Sequence, residues 1–184
     1  VLSLACLAAL MLCGLPWFDA VCHMFTTVAT GGFSTHPGSV AAFANPAAEW
    51  VIILFMTLCG TSFLFLLQMI GGKFSALQEN SEVKAYYAII LVTALTLTVI
   101  MFTETPDHQE AGHALRSALF QVVSILTTTG FTSEDYAQWP AVGRVLLVLM
   151  MLLGGCSAST AGGVKILRIV AAIRICLANI ERSF

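Results

Sequence analysis

Apolar residues fill this chain in blocks, and the polar stretches between the blocks set its plan. Residues 1–15 read as the last part of a membrane helix, closed by Pro16, because the residue before a proline is pushed out of helical geometry. That opening run is too short to span, so the beginning of a larger protein is expected ahead of it. Phe18 to Thr27 predicts a short helix with Asp19 in its first turn, where a carboxylate suits the positive end of the dipole. A helix of this length cannot cross roughly 30 Å of hydrocarbon, so it must dip in and return. From Ala47 to Ile70 a run broken only by Glu49, Thr57, Thr61, Ser62 and Gln68 predicts one continuous span. Gly71-Gly72-Lys73 closes it. A second span is expected over 85–102, a second short helix over His113 to Leu126, and a last span from Val142 that breaks after Leu153.

The polar stretch after each short helix carries the chemistry. Val28-Ala29-Thr30-Gly31-Gly32-Phe33-Ser34 follows the first, and Thr127-Thr128-Thr129-Gly130-Phe131-Thr132 follows the second. With one constant offset Thr30 falls on Thr128, Gly32 on Gly130, Phe33 on Phe131 and Ser34 on Thr132, with no gap in the helices before them. The order span, short helix, loop, span therefore occurs twice, and an internal repeat decides the fold class. The expectation is an all-α membrane protein of repeated membrane–pore–membrane units, residues 1–72 and 73–184, with re-entrant pore helices and a broken last helix. A cation entering hydrocarbon loses its water shell, and rings of backbone carbonyls can replace it. Glycine reaches the positive φ that aims carbonyls inward, threonine hydroxyls add oxygens, and the short helices turn partially negative C-terminal ends toward the cavity. Ala29, Thr30, Gly31, Gly32, Phe33 and Thr127, Thr128, Thr129, Gly130, Phe131 are accordingly the candidate filter, with a cation at their carbonyls. Two loops do not surround an ion in fourfold fashion, so further loops are expected from sequence outside this chain or from a second chain.

Composition fits that picture. Of 184 residues 58% are hydrophobic and only 10% charged, with mean hydropathy +0.90, against about a quarter charged in a soluble domain. The net charge of −2 is uninformative, but the placement of charges is not. Lys73, Lys84, Lys165, Arg168, Arg174 and Arg182 lie in the connection at 71–84 or toward the C-terminal end. Glu104, Asp107, Glu110, Glu134 and Asp135 fall in the other connections. The positive-inside rule puts the first group in the cytoplasm and the loops at 31–46, 103–115 and 131–140 outside. Trp17, Trp50 and Trp139 then fall near the outer boundary, as an aromatic belt would. The six cysteines show no CxxC spacing and read as reduced, buried hydrophobes.

The break in the last span is Gly154-Gly155-Cys156-Ser157-Ala158-Ser159-Thr160-Ala161-Gly162-Gly163. Non-helical backbone at membrane depth is tolerated only where protein shields it or water lines it. Lys165 and Arg168, three apart just after it, are expected on one helix face, either as a cytoplasm-facing pair obeying the charge rule or as an electrostatic element beneath the pore that affects gating. A phosphate loop is excluded because Val164 separates Gly163 from Lys165, and GxSxG is absent, so an enzyme is not expected.

The segments Phe25–His36 and Thr127–Thr132 resemble the second and third pore loops of the Trk/Ktr/HKT potassium transporter superfamily. Residues 154–165 resemble its intramembrane loop, in the form of the bacterial TrkH type. The resemblance covers nearly all of this chain but only the middle of the family's plan. It implies that Gly32 and Gly130 are filter glycines favouring potassium, and that residues 154–163 form a gate below them. It further implies uptake across a bacterial plasma membrane by a homodimer with a nucleotide-binding cytoplasmic regulatory subunit. No nucleic-acid partner and no tightly bound cofactor are expected. Pro37, where an acidic residue is common, and Ala161, within a usually glycine-rich run, depart from the pattern. Sodium or mixed-cation transport on the same fold, and a non-conducting scaffold, are the alternatives.

Overall fold

The computed structural model describes residues 1–72, 80–104 and 110–183. The expected unit boundary at residue 73, Lys73 and Asp107 lie outside these residues, as does the side chain of Arg182. Every regular element described is helical. Pro16, in an extended conformation, separates α1 (Leu2–Leu12) from α2 (Trp17–Val28). Asn45 starts α3 (Pro46–Gly60): its side chain accepts from Ala47 N and Ala48 N, and Pro46 occupies the first turn, where no donor is lost. The same side chain donates to the Cys13 carbonyl at 2.8 Å, tying the head of α3 to the foot of α1. Then follow α4 (Phe63–Ile70), α5 (Ser81–Glu104), α6 (Ala111–Leu126), α7 (Ala141–Met150) and α8 (Ile166–Ser183), with 3-10 turns at Ser39–Phe43 and Tyr136–Gln138.

Length separates spans from re-entrant helices. The 24 residues of α5 reach about 36 Å, enough to cross, while the 12 of α2 reach about 18 Å. Along α5, Leu91, Leu95, Val99 and Phe102 are exposed on one face, and Tyr86, Ile90, Leu97 and Met101 are buried on another. A helix apolar on its exposed face as well as its buried one is dissolved in lipid. α6 lies between α3 and α5, α2 packs on α1 and α3, and α7 packs on α5 and α6, so each short helix is wedged among longer ones.

The expected single span over 47–70 is corrected. The chain bends by 103° between α3 and α4, at Thr61-Ser62. Backbone groups freed by such a bend must find partners inside the membrane, and the 154–163 segment supplies them. Phe63 N donates to the Ala158 carbonyl, Cys156 N to the Gly60 carbonyl, and Thr160 N to the Cys59 carbonyl. The Thr61 hydroxyl turns back onto the Thr57 carbonyl, which also accepts from Tyr86. Trp17 and Trp50 are exposed, whereas Trp139, expected in the same aromatic belt, is buried and fills the core at the head of α7. All six cysteines are free; Cys176 is exposed on α8.

Candidate functional site

Both re-entrant helices end the same way. At the foot of α2, Gly31 N reaches the Thr26 carbonyl and Thr30 N the Thr27 carbonyl. At the foot of α6, Thr129 N reaches the Ser124 carbonyl and Thr128 N the Ile125 carbonyl. This is the Schellman closure, whose left-handed residue is ordinarily glycine. Here it is Thr30 (φ 51°) and Thr128 (φ 55°), and a β-branched side chain in that region is strained by about 1–2 kcal/mol. Two residues on, Gly32 (φ 70°) and Gly130 (φ 85°) are left-handed again, whereas Gly31 and Thr129 between them are not. A strand points successive groups to opposite sides; left-handed residues at every second position let successive carbonyls face one side.

The two loops touch. A Cβ built on Gly32 would lie 1.8 Å from the Thr129 carbonyl oxygen and 3.3 Å from the Gly130 carbonyl carbon. Only glycine permits that approach. The segment after the first loop also braces the second: Ala41 N donates to the Thr132 carbonyl, and Thr132 N to the Ser39 hydroxyl. Farther out, Arg116 on α6 pairs with Glu49 on α3 at 2.7 Å, joining the two repeats.

Beneath the loops lies the 154–163 segment. Its base is closed where Gly154 N meets the Val164 carbonyl at 2.9 Å, beside a bridge between Leu153 and Val164. A Cβ on Gly154 would fall 2.1 Å from the Gly162 carbonyl oxygen, so the crossing demands glycine. Both strained threonines are bonded to this segment. The Thr30 hydroxyl is shared between the Ala29 carbonyl at 2.7 Å and the Thr160 carbonyl at 3.0 Å, and Gly162 N donates to the Thr128 hydroxyl at 2.6 Å. From below, one oxygen of the buried Glu82 carboxylate accepts Ser157 N at 2.5 Å and Leu167 N at 3.3 Å.

A family model described as "Cation transport protein", TrkH, matches residues 4–184. The chain belongs to the TrkH family. It is 35% identical to the Trk system potassium uptake protein TrkH of Salmonella typhimurium over 170 residues, 92% of this chain and 35% of that protein. It is 38% identical to TrkI of Halomonas elongata, over 84% of this chain and 31% of that one. The crystal structure of the potassium transporter TrkH from Vibrio parahaemolyticus superposes with a TM-score of 0.92 at 32% identity, covering 98% of this chain and 39% of that one. The chain thus spans about a third of the length of these relatives. It is an all-α membrane protein of repeated membrane–pore–membrane units.

In this TrkH segment the ten sequence-predicted filter residues fall into one contiguous patch, but not in equivalent surroundings. Ala29, Gly31 and Phe33 are exposed, whereas their repeat partners Thr127, Thr129 and Phe131 are buried; Phe33 is 79% exposed and Phe131 1%. The Phe131 carbonyl accepts from the Ser124 hydroxyl at 2.7 Å, and the Thr127 and Thr129 hydroxyls bond to each other. Lys165 and Arg168 do not form the expected pair on a helix face. Lys165 precedes the first residue of α8, and its ammonium folds back onto the Ala161 carbonyl, while Arg168 is exposed. At the outer end, Asp19 accepts from the Thr35 hydroxyl at 2.6 Å, and this bond holds its carboxyl below the ordinary carboxylate range. Sequence reasoning missed Glu82, an acid in a polar connection whose partners lie far along the chain. His23, fully buried on α2, lacks any partner at metal-ligand spacing in the sequence, and its contacts with both loops come only from the fold.

Proposed function

We propose that this segment forms two adjacent quarters of a potassium-selective pore, units 1–72 and 73–184, with residues 154–163 as the gate under its filter. The observation that carries the reading is the contact of Gly32 with Thr129 and Gly130, between loops whose matched Thr and Gly positions share the same left-handed turns. The repeat also says how such a pore continues. Gly32 abuts the next loop, while a Cβ on Gly130, its partner in the repeat, meets nothing within 4 Å. Conversely, the buried face of the second loop, Thr127, Thr129 and Phe131, corresponds to the open face of the first, Ala29, Gly31 and Phe33. Each loop therefore has one face built to receive a neighbour of its own kind, and four such loops around an axis would satisfy all of them.

Carbonyls from Ala29 to Phe33 and from Thr127 to Phe131 would replace part of the hydration shell of potassium, the cargo named for the relatives. Glycine at both 32 and 130 favours potassium over sodium by the family resemblance. By the same resemblance the complete protein works in the bacterial inner membrane as a homodimer, with lipid around it and a nucleotide-binding cytoplasmic subunit as the other component of a Trk system. Lys165, bonded to the Ala161 carbonyl, would hold the gate loop in shape instead of acting with Arg168 on the ion.

The test is potassium and sodium flux through the full-length protein in proteoliposomes, with and without residues Ser157 to Ala161. Potassium flux that rises on deletion supports both filter and gate. A folded full-length protein that passes no cation overturns the reading in favour of a scaffold.

A further inference from the structure

His23 stands behind the filter loops on α2, with no exposed surface. Its Nδ1 lies 2.8 Å from the Asp19 carbonyl oxygen. A carbonyl only accepts, so the ring proton belongs on Nδ1. Nε2 of the neutral ring is then an acceptor, and it lies 2.9 Å from the hydroxyl of Ser34, the residue that follows the first loop. Ser34 Oγ in turn accepts from His36 N at 3.2 Å, so every polar atom of the relay has a partner. The face of the imidazole stacks on Phe131 of the second loop, centroids 5.7 Å apart and planes 21° apart. Its ring also meets Phe43 nearly perpendicularly at 4.9 Å, in the 3-10 turn whose Ala41 N bonds to Thr132. One side chain therefore holds the exit of the first loop by a hydrogen bond and the end of the second by its ring face.

The repeat shows that this is not a general property of the short helices. The position matching His23 in the second unit is Gln121, which is equally buried and whose Nε2 has no hydrogen-bond partner in the structure. There the loop is held differently, by the Ser124 hydroxyl on the Phe131 carbonyl. The histidine brace belongs to the seam between the two loops.

We propose that His23 is a specificity-setting positioning residue: through Ser34 and Phe131 it fixes the spacing of two adjacent filter loops, and with it the discrimination of potassium from sodium. The inference rests on the filter reading above. A ring of carbonyls rejects the smaller ion only while its loops are held apart at a set distance, and the Gly32 contact alone sets a minimum separation, not a maximum. His23 supplies an opposing constraint at Phe131, beside the bonds from Ala41 and Ser39 to Thr132 one residue on.

The experiment uses the full-length protein in liposomes and reads the potassium-to-sodium permeability ratio, which a loss of folded protein does not alter. Ser34→Ala removes one oxygen at the end of the brace and should lower the ratio about three- to tenfold, the worth of one hydrogen bond. His23→Ala should lower it further, and Ser34→Ala added to His23→Ala should do no more, because both act through one contact. A ratio within twofold of wild type in folded Ser34→Ala, or additive losses in the double variant, overturns the inference. If His23→Ala does not fold, Ser34→Ala decides alone. Wild-type protein with no preference for potassium would instead refute the filter reading itself.

Discussion

Replacing Gly32 and Gly130 by alanine, one at a time in the full-length protein, tests both the contact between loops and the ring it implies. At Gly32 the new methyl would lie 1.8 Å from the Thr129 carbonyl oxygen, where real Cβ atoms essentially never come within 3.0 Å of a neighbour. The obstacle is backbone, so the loops must part by at least about 1.2 Å, and a misplacement of about 1 Å costs about a hundredfold where geometry decides the rate. The left-handed φ of 70° adds about 1–2 kcal/mol of strain for any residue with a Cβ. At Gly130 only the second effect operates between these two units, because nothing lies within 4 Å of its Cβ; strain alone is worth about 5- to 30-fold. If a further loop receives Gly130 as Thr129 receives Gly32, the clash returns and the two variants become equivalent. Reversal potentials under opposed potassium and sodium gradients should then show both variants losing at least tenfold in selectivity, within about threefold of each other. Selectivity retained in Gly32→Ala would refute the abutting loops. A much milder Gly130→Ala would refute continuation of the ring on that side.

Glu82→Ala removes the acceptor of Ser157 N and Leu167 N. Hydrogen bonds to a charged group are worth about 1.5–3 kcal/mol, so flux through the resting protein should rise at least tenfold; unchanged resting flux would mean that Glu82 does not hold the loop closed. Arg116→Ala strands the carboxylate of Glu49, a side chain only 10% exposed, and should cost about 3 kcal/mol of stability, seen as a lowered Tm that Glu49→Gln partly restores. Asp19 gives a pH dependence of definite sign. Its carboxyl is lowered, first by the Thr35 hydroxyl, so its contribution to stability is full above the ordinary carboxylate range and fades as pH falls through the lowered value. After correction for intrinsic rates, amide exchange at His36, whose N–H is held by the Ser34 hydroxyl, should accelerate on acidification in the wild type and be fast and independent of pH in Asp19→Ala.

Much of this architecture was legible because the repeat and the lengths of apolar runs are local signals. The re-entrant helices expected over 18–27 and 113–126 appear as Trp17–Val28 and Ala111–Leu126, and the break after Leu153 lies where small residues interrupt an apolar run. The transport family, as opposed to an enzyme, also followed from those motifs. The bend at Thr61-Ser62 did not, because hydropathy averages two hydroxyls away, and what stabilises the bend is a segment about a hundred residues later. Glu82 was invisible for the same reason: its donors, Ser157 and Leu167, are distant in sequence. Lys165 was misplaced because helical spacing was carried one residue too far toward the N-terminus, across the start of α8.

The placement of the two left-handed threonines bears on whether the proposed gate and the proposed filter can act separately. A glycine at 30 or 128 would close the helix without strain, yet threonine stands at both. The compensation visible at each is a hydroxyl bonded to the 154–163 segment, through Thr160 at one and Gly162 at the other. Each bond is of the order of 1 kcal/mol, comparable with the strain it opposes. On the proposed reading, a loop that withdraws to open the path must break both bonds at once, leaving two strained turns at the base of the filter, with the Thr30 hydroxyl kept only by its own neighbour's carbonyl, that of Ala29. The filter would then relax as the gate opens. Two sites joined by shared bonds of this size are coupled in both directions, so ions in the filter should also change how readily the loop moves. Protection of Gly162 N from hydrogen exchange, measured in the full-length protein in potassium and then in sodium, should differ between the two ions. Equal protection would show a gate that swings free of the filter above it.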